Sequence, residues 1–261
     1  MLIEQQHGAV LTLTLNRPEV RNAFNAELIA LLTQAIDRAD ADESVRVVVL
    51  RGTGEHFCAG ADLQWMAGMA ALPMADNVAD ARALGTLMLK LDQCRKAVVS
   101  LVQGAVMGGG VGLVACSDVV LAVPTTFFAL SETRLGLTPA TIAPFVVEAI
   151  GARQARRYML TGERIDVDCA LQLGLVHQVA SPGELDSVLA ALIEQLLRGG
   201  PMSHRKIKKL IRDVGQRPTN DDLMDNLSWR IANQRISAEG QEGMQAFLTK
   251  RPPHWWPESN Q

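Results

Sequence analysis

The chain has 261 residues, 48% of them hydrophobic and 20% charged, with a formal net charge of −3. A mean hydropathy of +0.10 and a pI near 6.0 suit a chain that buries a sizeable core, and they argue against one built mainly to bind nucleic acid, which carries a basic balance. No apolar stretch reaches the roughly 18 residues of a membrane helix, and Met1-Leu2-Ile3-Glu4-Gln5 lacks the basic and apolar regions of a signal peptide, so a soluble cytoplasmic protein without a membrane partner is expected.

The first predicted element is a strand. Leu11-Thr12-Leu13-Thr14-Leu15 alternates with period two, and Gly8 behind it permits a hairpin with a strand around Ile3. Asn16-Arg17-Pro18 breaks that strand, after which Leu28, Leu31, Leu32, Ala35, Ile36 and Ala39 recur at helical spacing. Val45 to Leu50 reads as a buried strand running into a turn of small residues, Phe57-Cys58-Ala59-Gly60-Ala61-Asp62-Leu63. Val78, Leu84, Leu87, Met88 and Leu91 predict a helix over 77–94, and Val98 to Val102 a strand ending at a second small-residue turn, Gly104-Ala105-Val106-Met107-Gly108-Gly109-Gly110-Val111-Gly112.

A helix over 111–116, strands over 119–122 and 127–129, and a helix around 142–150 continue the alternation. That pattern belongs to an α/β fold with parallel strands, whose strand ends carry the site. Beyond about 180 the period is helical throughout, at Leu185 to Leu196, Ile207 to Ile211 and Leu223 to Phe247. The expected division is a core over 1–180 and a C-terminal helical subdomain over 181–261, whose apolar faces suit burial in a neighbouring subunit.

The two small-residue turns offer no nucleophile and no metal ligand. What they offer is backbone N–H groups, and two such donors converging on one oxygen make an oxyanion hole for enolate chemistry. Cys58, Cys94, Cys116 and Cys169 show no C-x-x-C spacing, and the five histidines show no paired metal spacing, so no metal is expected. Leu113 stands where a dinucleotide fingerprint starting at Gly108 needs glycine, and no Lys-Ser or Lys-Thr pair makes the run a P-loop. The one basic cluster, His204 to Arg212, places its apolar residues on one helical face and reads as a solvated amphipathic helix ahead of coenzyme A phosphate steering or RNA binding.

Taken together, Asn16-Arg17-Pro18, Asn22-Ala23-Phe24-Asn25, the two turns, Ser131-Glu132-Thr133-Arg134-Leu135-Gly136 and Ala170-Leu171-Gln172-Leu173-Gly174-Leu175-Val176 resemble the enoyl-CoA hydratase/isomerase, or crotonase, superfamily over nearly the whole chain. The resemblance implies a ClpP-like spiral of ββα units, a coenzyme A thioester substrate with no separate cofactor, and a homotrimer or dimer of trimers. It implies oxyanion donors at the backbone amides of Ala61 and Gly109 and a proton-transferring carboxyl at Glu132, partly desolvated behind Phe128 and Leu130. Asp62, Leu63 and Gln64 fall where relatives hold the adenine and pantetheine ends of the thioester, and Arg21 and Ala23 where they line the nucleotide pocket. Ala59, Met107 and Gly112 complete the implied substrate-binding set.

Gly112 is also the departure, because two-glutamate hydratases carry their other carboxylate there. Three activities stay open: a one-glutamate hydratase, a double-bond isomerase, and a thioester- or RNA-binding relative with little turnover. The segments 62–66 and 131–145 resemble bacterial hydratases of glutaconyl-type esters, 3-methylglutaconyl-CoA and isohexenylglutaconyl-CoA. Those substrates bring their own carboxylate, and like charges about 4 Å apart repel by roughly 4 kcal/mol at an effective dielectric of 20, so the missing protein carboxylate is expected to ease their binding.

Overall fold

The structure is a computed structural model that describes residues 1–215 and 217–256. Its chain divides into two compact units, Met1–Leu189 and Ala190–Gln261.

The first unit opens with the hairpin that the alternation predicts. Strands β1 (Leu2–His7) and β2 (Val10–Leu15) pair antiparallel through Gly8, whose φ of 56° glycine tolerates best. Leu11, Leu13 and Leu15 point into the core. Asn25 caps helix α1 (Ala26–Ala41) by accepting the Leu28 amide at 2.9 Å, and α1 buries Leu28, Ile29, Leu32, Ala35, Ile36 and Ala39. There follow β3 (Val47–Gly52), α2 (Leu63–Ala70), α3 (Met74–Asp92), β4 (Ala97–Val102), β5 (Ala105–Met107), α4 (Gly109–Ala115), β6 (Val119–Ala122) and β7 (Phe127–Ala129). A 3₁₀ turn over Ser131–Leu135 leads to α5 (Ala143–Thr161), β8 (Arg164–Asp166), α6 (Val167–Gln172) and β9 (Gln178–Val179).

Among the described residues the main sheet runs β1-β2-β3-β4-β6-β9. Every pairing after the hairpin is parallel. Strands β3 and β4 are buried almost throughout, which explains why they read as unbroken apolar runs rather than alternating ones.

A second, smaller ladder lies beside the ends of these strands. Strand β7 pairs with β5 and with β8, Cys58 bridges Val106, and Phe24 bridges Ala61. Successive chain segments thus repeat one motif: a strand in the main sheet, a short extended piece in the small ladder, then a helix. The fold is the expected spiral of ββα units, and its repetition stacks the extended pieces around 24, 58–61, 105–108 and 127–129 side by side.

Beyond Val179 the described residues hold helices only: α7 (Leu185–Arg198), α8 (Pro201–Gly215), α9 (Asp221–Arg235) and α10 (Ala238–Leu248). Within the second unit the Glu239 carboxylate accepts the amides of Met202 and Ser203 at the start of α8, and both Trp255 and Trp256 donate their indole N–H to the Arg198 carbonyl. Large apolar side chains stay open to solvent, Trp229 at 66% and Phe247 at 84% exposure. No described helix is long and apolar enough to cross a membrane.

Candidate active site

The small ladder brings the two turns together. Phe24 donates its amide to the Gly60 carbonyl at 2.7 Å and accepts from the Asp62 amide at 2.8 Å, Met107 donates to the Cys58 carbonyl at 2.9 Å, and Gly108 donates to the Ala129 carbonyl at 3.0 Å. These bonds consume the neighbouring amides and leave others. Among the described residues neither the Ala61 nor the Gly109 amide has an acceptor; both residues are half-buried, and Gly109 opens α4, whose first amides have no partner within the helix. Two unmet donors on adjoining turns are what an oxyanion hole requires.

Glycine is required where the turns cross. Gly60 (φ 93°) and Gly108 (φ 48°) both occupy conformations that other residues avoid. A Cβ on Gly60 would lie 3.2 Å from the Met107 carbonyl oxygen, and one on Gly108 would lie 3.0 Å from Glu132 Oε1. The missing side chains therefore make room for the crossing itself and for the Glu132 carboxyl above it.

Gly109 is constrained from another side: a Cβ there would stand 2.8 Å from Cε2 of Phe24, a fully buried ring. A valine at 109 would meet Phe24 before it met any substrate, so packing as well as thioester access forbids a side chain there.

Glu132 sits in the 3₁₀ turn after β7, behind the fully buried Phe128 and Leu130. Its Oε2 is buried and has no hydrogen-bond partner among the described residues. Burial pushes its pKa above the ordinary glutamate value of 4.5, against a weaker downward pull from its own backbone amide. Among the described residues Glu132 forms no ion pair with Arg134, whose side chain lies against Gly162. A desolvated carboxyl with one oxygen left unpartnered is suited to acid/base exchange.

Asp62 is treated in the opposite way. Its carboxylate caps α2 by accepting the amides of Gln64 and Trp65 and pairs with Arg17 Nη2 at 3.1 Å. Partial burial pulls its pKa upward, but the Arg17 and amide hydrogen bonds outweigh that and hold it below the ordinary value of 3.8. Arg17 also donates to the Ala23 carbonyl at 2.6 Å, so one guanidinium ties the Arg21–Ala23 bend to the first turn. Asn22, buried and at φ 57°, completes the tie by accepting the Arg17 amide and donating to the carbonyls of Thr53 and His56.

Arg17 and Asn22 belong to the resembling motif, which by itself assigns them none of this work. Their signal was the motif itself, a polar cluster directly after a strand.

Of the implied tail-binding residues, Arg21, Leu63 and Gln64 expose their side chains, whereas Ala23 is buried and Asp62 is taken up by α2 and Arg17. Ala59 donates its amide to the Arg21 carbonyl, and Met107 is half-buried beside the crossing. Gly112 is buried, and the direction in which a second glutamate would extend is filled: a Cβ there would stand 2.5 Å from Ile142 Cγ2 and 3.1 Å from Met88 Cε. Two other polar or reactive groups near the site are accounted for by the fold. His56 Nδ1 accepts the Ala105 amide, and burial pushes the Cys58 thiol up to about 12, which removes it as a nucleophile.

The family model described as Enoyl-CoA hydratase/isomerase matches residues 5–258. The crystal structure of an enoyl-CoA hydratase from Shewanella pealeana superposes with a TM-score of 0.94 at 39% identity, covering 97% of this chain and 95% of that one. Enoyl-CoA hydratase ACTT6 of Alternaria alternata is 35% identical over 246 residues, 93% of this chain and 79% of the relative. A trans-2-decenoyl-acyl-carrier-protein isomerase of Streptococcus mutans is 30% identical over 250 residues, 94% of each.

Proposed function

This chain belongs to the enoyl-CoA hydratase/isomerase family, and from that premise we propose that it adds water to a branched 2-enoyl-CoA thioester of glutaconyl type, such as the 3-methylglutaconyl or isohexenylglutaconyl ester. The observation that carries the reading is the Glu132 carboxyl, with its unpartnered Oε2, set against Gly108 beside the open amides of Ala61 and Gly109.

In this reading the thioester oxygen accepts from both amides, so the charge that develops on it meets fixed donors in a water-poor site. Removing one such donor typically costs roughly 10²-fold to 10³-fold in rate. Glu132 transfers the proton at C2, and its raised pKa brings it toward the range where it both gives and takes. Coenzyme A enters as part of the substrate, with the exposed Arg21 available to its phosphates and the exposed Leu63 and Gln64 along the tail.

The acyl assignment rests on the resemblance over 62–66 and 131–145 and on the absence of a carboxylate at Gly112, where the apolar Ile142 and Met88 stand instead. Assembly is proposed as a trimer or dimer of trimers, supported by the solvent-open Trp229, Ile236, Phe247 and Leu248.

A second reading, double-bond isomerisation, is favoured by the same Gly112 geometry, since one carboxyl suffices to shuttle one proton between two carbons. Incubating the protein with a panel of glutaconyl, crotonyl and 3-enoyl esters and reading product mass separates the two. A gain of one water on the glutaconyl esters supports hydration, and a rearranged product of unchanged mass supports the isomerase.

A further inference from the structure

Helix α3 turns Leu84 and Met88 toward the site. Asp80, Leu84 and Met88 stand at i, i+4 and i+8 and share one face. Two members of the row are fixed against α4: Met88 Cε lies 3.1 Å from where a Cβ on Gly112 would stand, and Leu84 Cδ2 lies 4.0 Å from where one on Gly109 would stand. Falling numbers on α3 thus match falling numbers on α4, so the two helices run in the same direction. Asp80 is four residues further along, about 6 Å of rise beyond Leu84, which carries it past the start of α4 toward the side of the Gly109 amide. Helical side chains lean toward their own N-terminus, which extends the carboxyl further the same way.

Asp80 is half-buried, and among the described residues its carboxyl has neither a hydrogen bond nor an ion pair. Burial raises its pKa, with no opposing contact. An unpartnered, partly desolvated carboxylate costs stability, and the rest of this face, Leu84, Leu87, Met88 and Leu91, needs no acid for its packing. A charge kept at such a place points to chemistry.

We propose that Asp80 is the second carboxylate of the site and holds the water that adds to C3 of the enoyl thioester. This rests on the hydratase reading above and not on the glutaconyl assignment, whose charge argument concerns position 112 alone. As the water oxygen bonds to C3, its proton passes to Asp80. The C2=C3 π pair moves toward the thioester oxygen held by the Ala61 and Gly109 amides, and C2 then takes the proton carried by Glu132. Asp80 ends protonated and Glu132 ionised, and passage of one proton between them through solvent restores the start. The water base thus stands on α3, whereas position 112 leaves no room for one beside Ile142 and Met88.

The test is Asp80→Asn, which keeps shape and removes a charge that supports nothing else in the fold. Two reactions are read on the purified full chain: hydration of the enoyl-CoA panel, and deuterium exchange at C2 of a saturated acyl-CoA, which needs Glu132 and the amides but adds no water. Hydration is expected to fall about 10²-fold or more, with exchange held within about twofold and a melting temperature equal to or above that of the wild type. Hydration within about threefold of wild type overturns the proposal. Equal loss of both reactions also overturns it, since that marks a structural role. A wild type that exchanges the C2 hydrogen yet hydrates no ester removes the hydratase reading itself, a failure visible before any variant is made.

Discussion

Asp62 and Glu132 each follow an extended piece of the same small ladder, yet their carboxyls meet opposite surroundings. Asp62 has a guanidinium and two helix amides, and its pKa falls. Glu132 has Phe128 and Leu130 behind it and one oxygen with no partner, and its pKa rises. The difference separates two uses of an acid. Asp62 is satisfied by the fold and stabilises it, holding the Arg21–Ala23 bend against the first turn. Glu132 is left unsatisfied by the fold, which is how a group available to a substrate differs from one already engaged.

The sharpest way to break this comparison is Glu132→Gln. The amide keeps the shape and loses proton transfer, so kcat is expected to fall roughly 10²-fold or more with a much smaller change in KM. Melting should stay at or above the wild-type temperature, because a desolvated charge has gone. Near-normal turnover on the esters that wild type converts would place the proton transfer elsewhere.

Next in size is the pair of tests at Gly112. Gly112→Glu alone must push Ile142 and Met88 aside, and such overpacking costs about 1–3 kcal/mol, so both anionic and neutral esters should lose rate together. Adding Ile142→Ala opens the room. In that double variant the restored charge should lower kcat/KM for glutaconyl esters relative to crotonyl-CoA by at least about tenfold, within the roughly 4 kcal/mol that a like charge about 4 Å away contributes at an effective dielectric of 20. An unchanged ratio would leave the absence of a carboxylate at 112 explained by packing alone.

What the sequence made legible follows the reach of local signals. The hairpin, α1, β3, α3 and β4 each carry five or more residues at a clear period or in an unbroken apolar run, and they stand within a few residues of where the pattern placed them. Strands β5, β8 and β9 are too short to show a period, and only non-local pairing reveals them. Helix α2 has its signal in Asp62, a good N-cap ahead of Leu63, which the resemblance instead assigns to substrate binding. In α5 the run from Ala143 is interrupted at Gly151 (φ 75°), a break that an isolated glycine announces only weakly.

Glu132, Ala61 and Gly109 came from the family resemblance. That Gly60 and Gly108 cross beneath the Glu132 carboxyl depends on the ladder through Cys58, Val106 and Phe128, and no spacing in the chain encodes it directly.

The Asp62 side of the comparison predicts a loss of stability rather than of rate. Asp62→Asn weakens the cap on α2 and the Arg17 pair, for about 1–2 kcal/mol in all, and urea unfolding should show it. Turnover per folded molecule should stay within a fewfold, since the Asn side chain still accepts an amide. A larger fall in kcat than in stability would move Asp62 into the substrate-binding role that the resemblance implies.

The smallest effect is the most direct contrast between the two acids, because linkage gives their stability contributions opposite pH dependence. For Asp62 the native pKa lies below the ordinary 3.8. Its contribution is therefore complete above that value and is lost as pH falls through the native pKa, where the unfolded chain binds the proton first. For Glu132 the native pKa lies above 4.5, so the native state holds its proton longer. That contribution is complete below 4.5 and is lost as pH rises through the native pKa. Unfolding free energies of wild type, Asp62→Asn and Glu132→Gln at steps across acid and neutral pH isolate each term. The advantage of wild type over Asp62→Asn should shrink in acid, while any advantage of Glu132→Gln over wild type should appear only as the pH rises past 4.5, each by about 1 kcal/mol or less. If both differences ran in the same direction with pH, the two carboxyls would not be held in opposite environments, and the division between a structural and a reactive acid would fall with them.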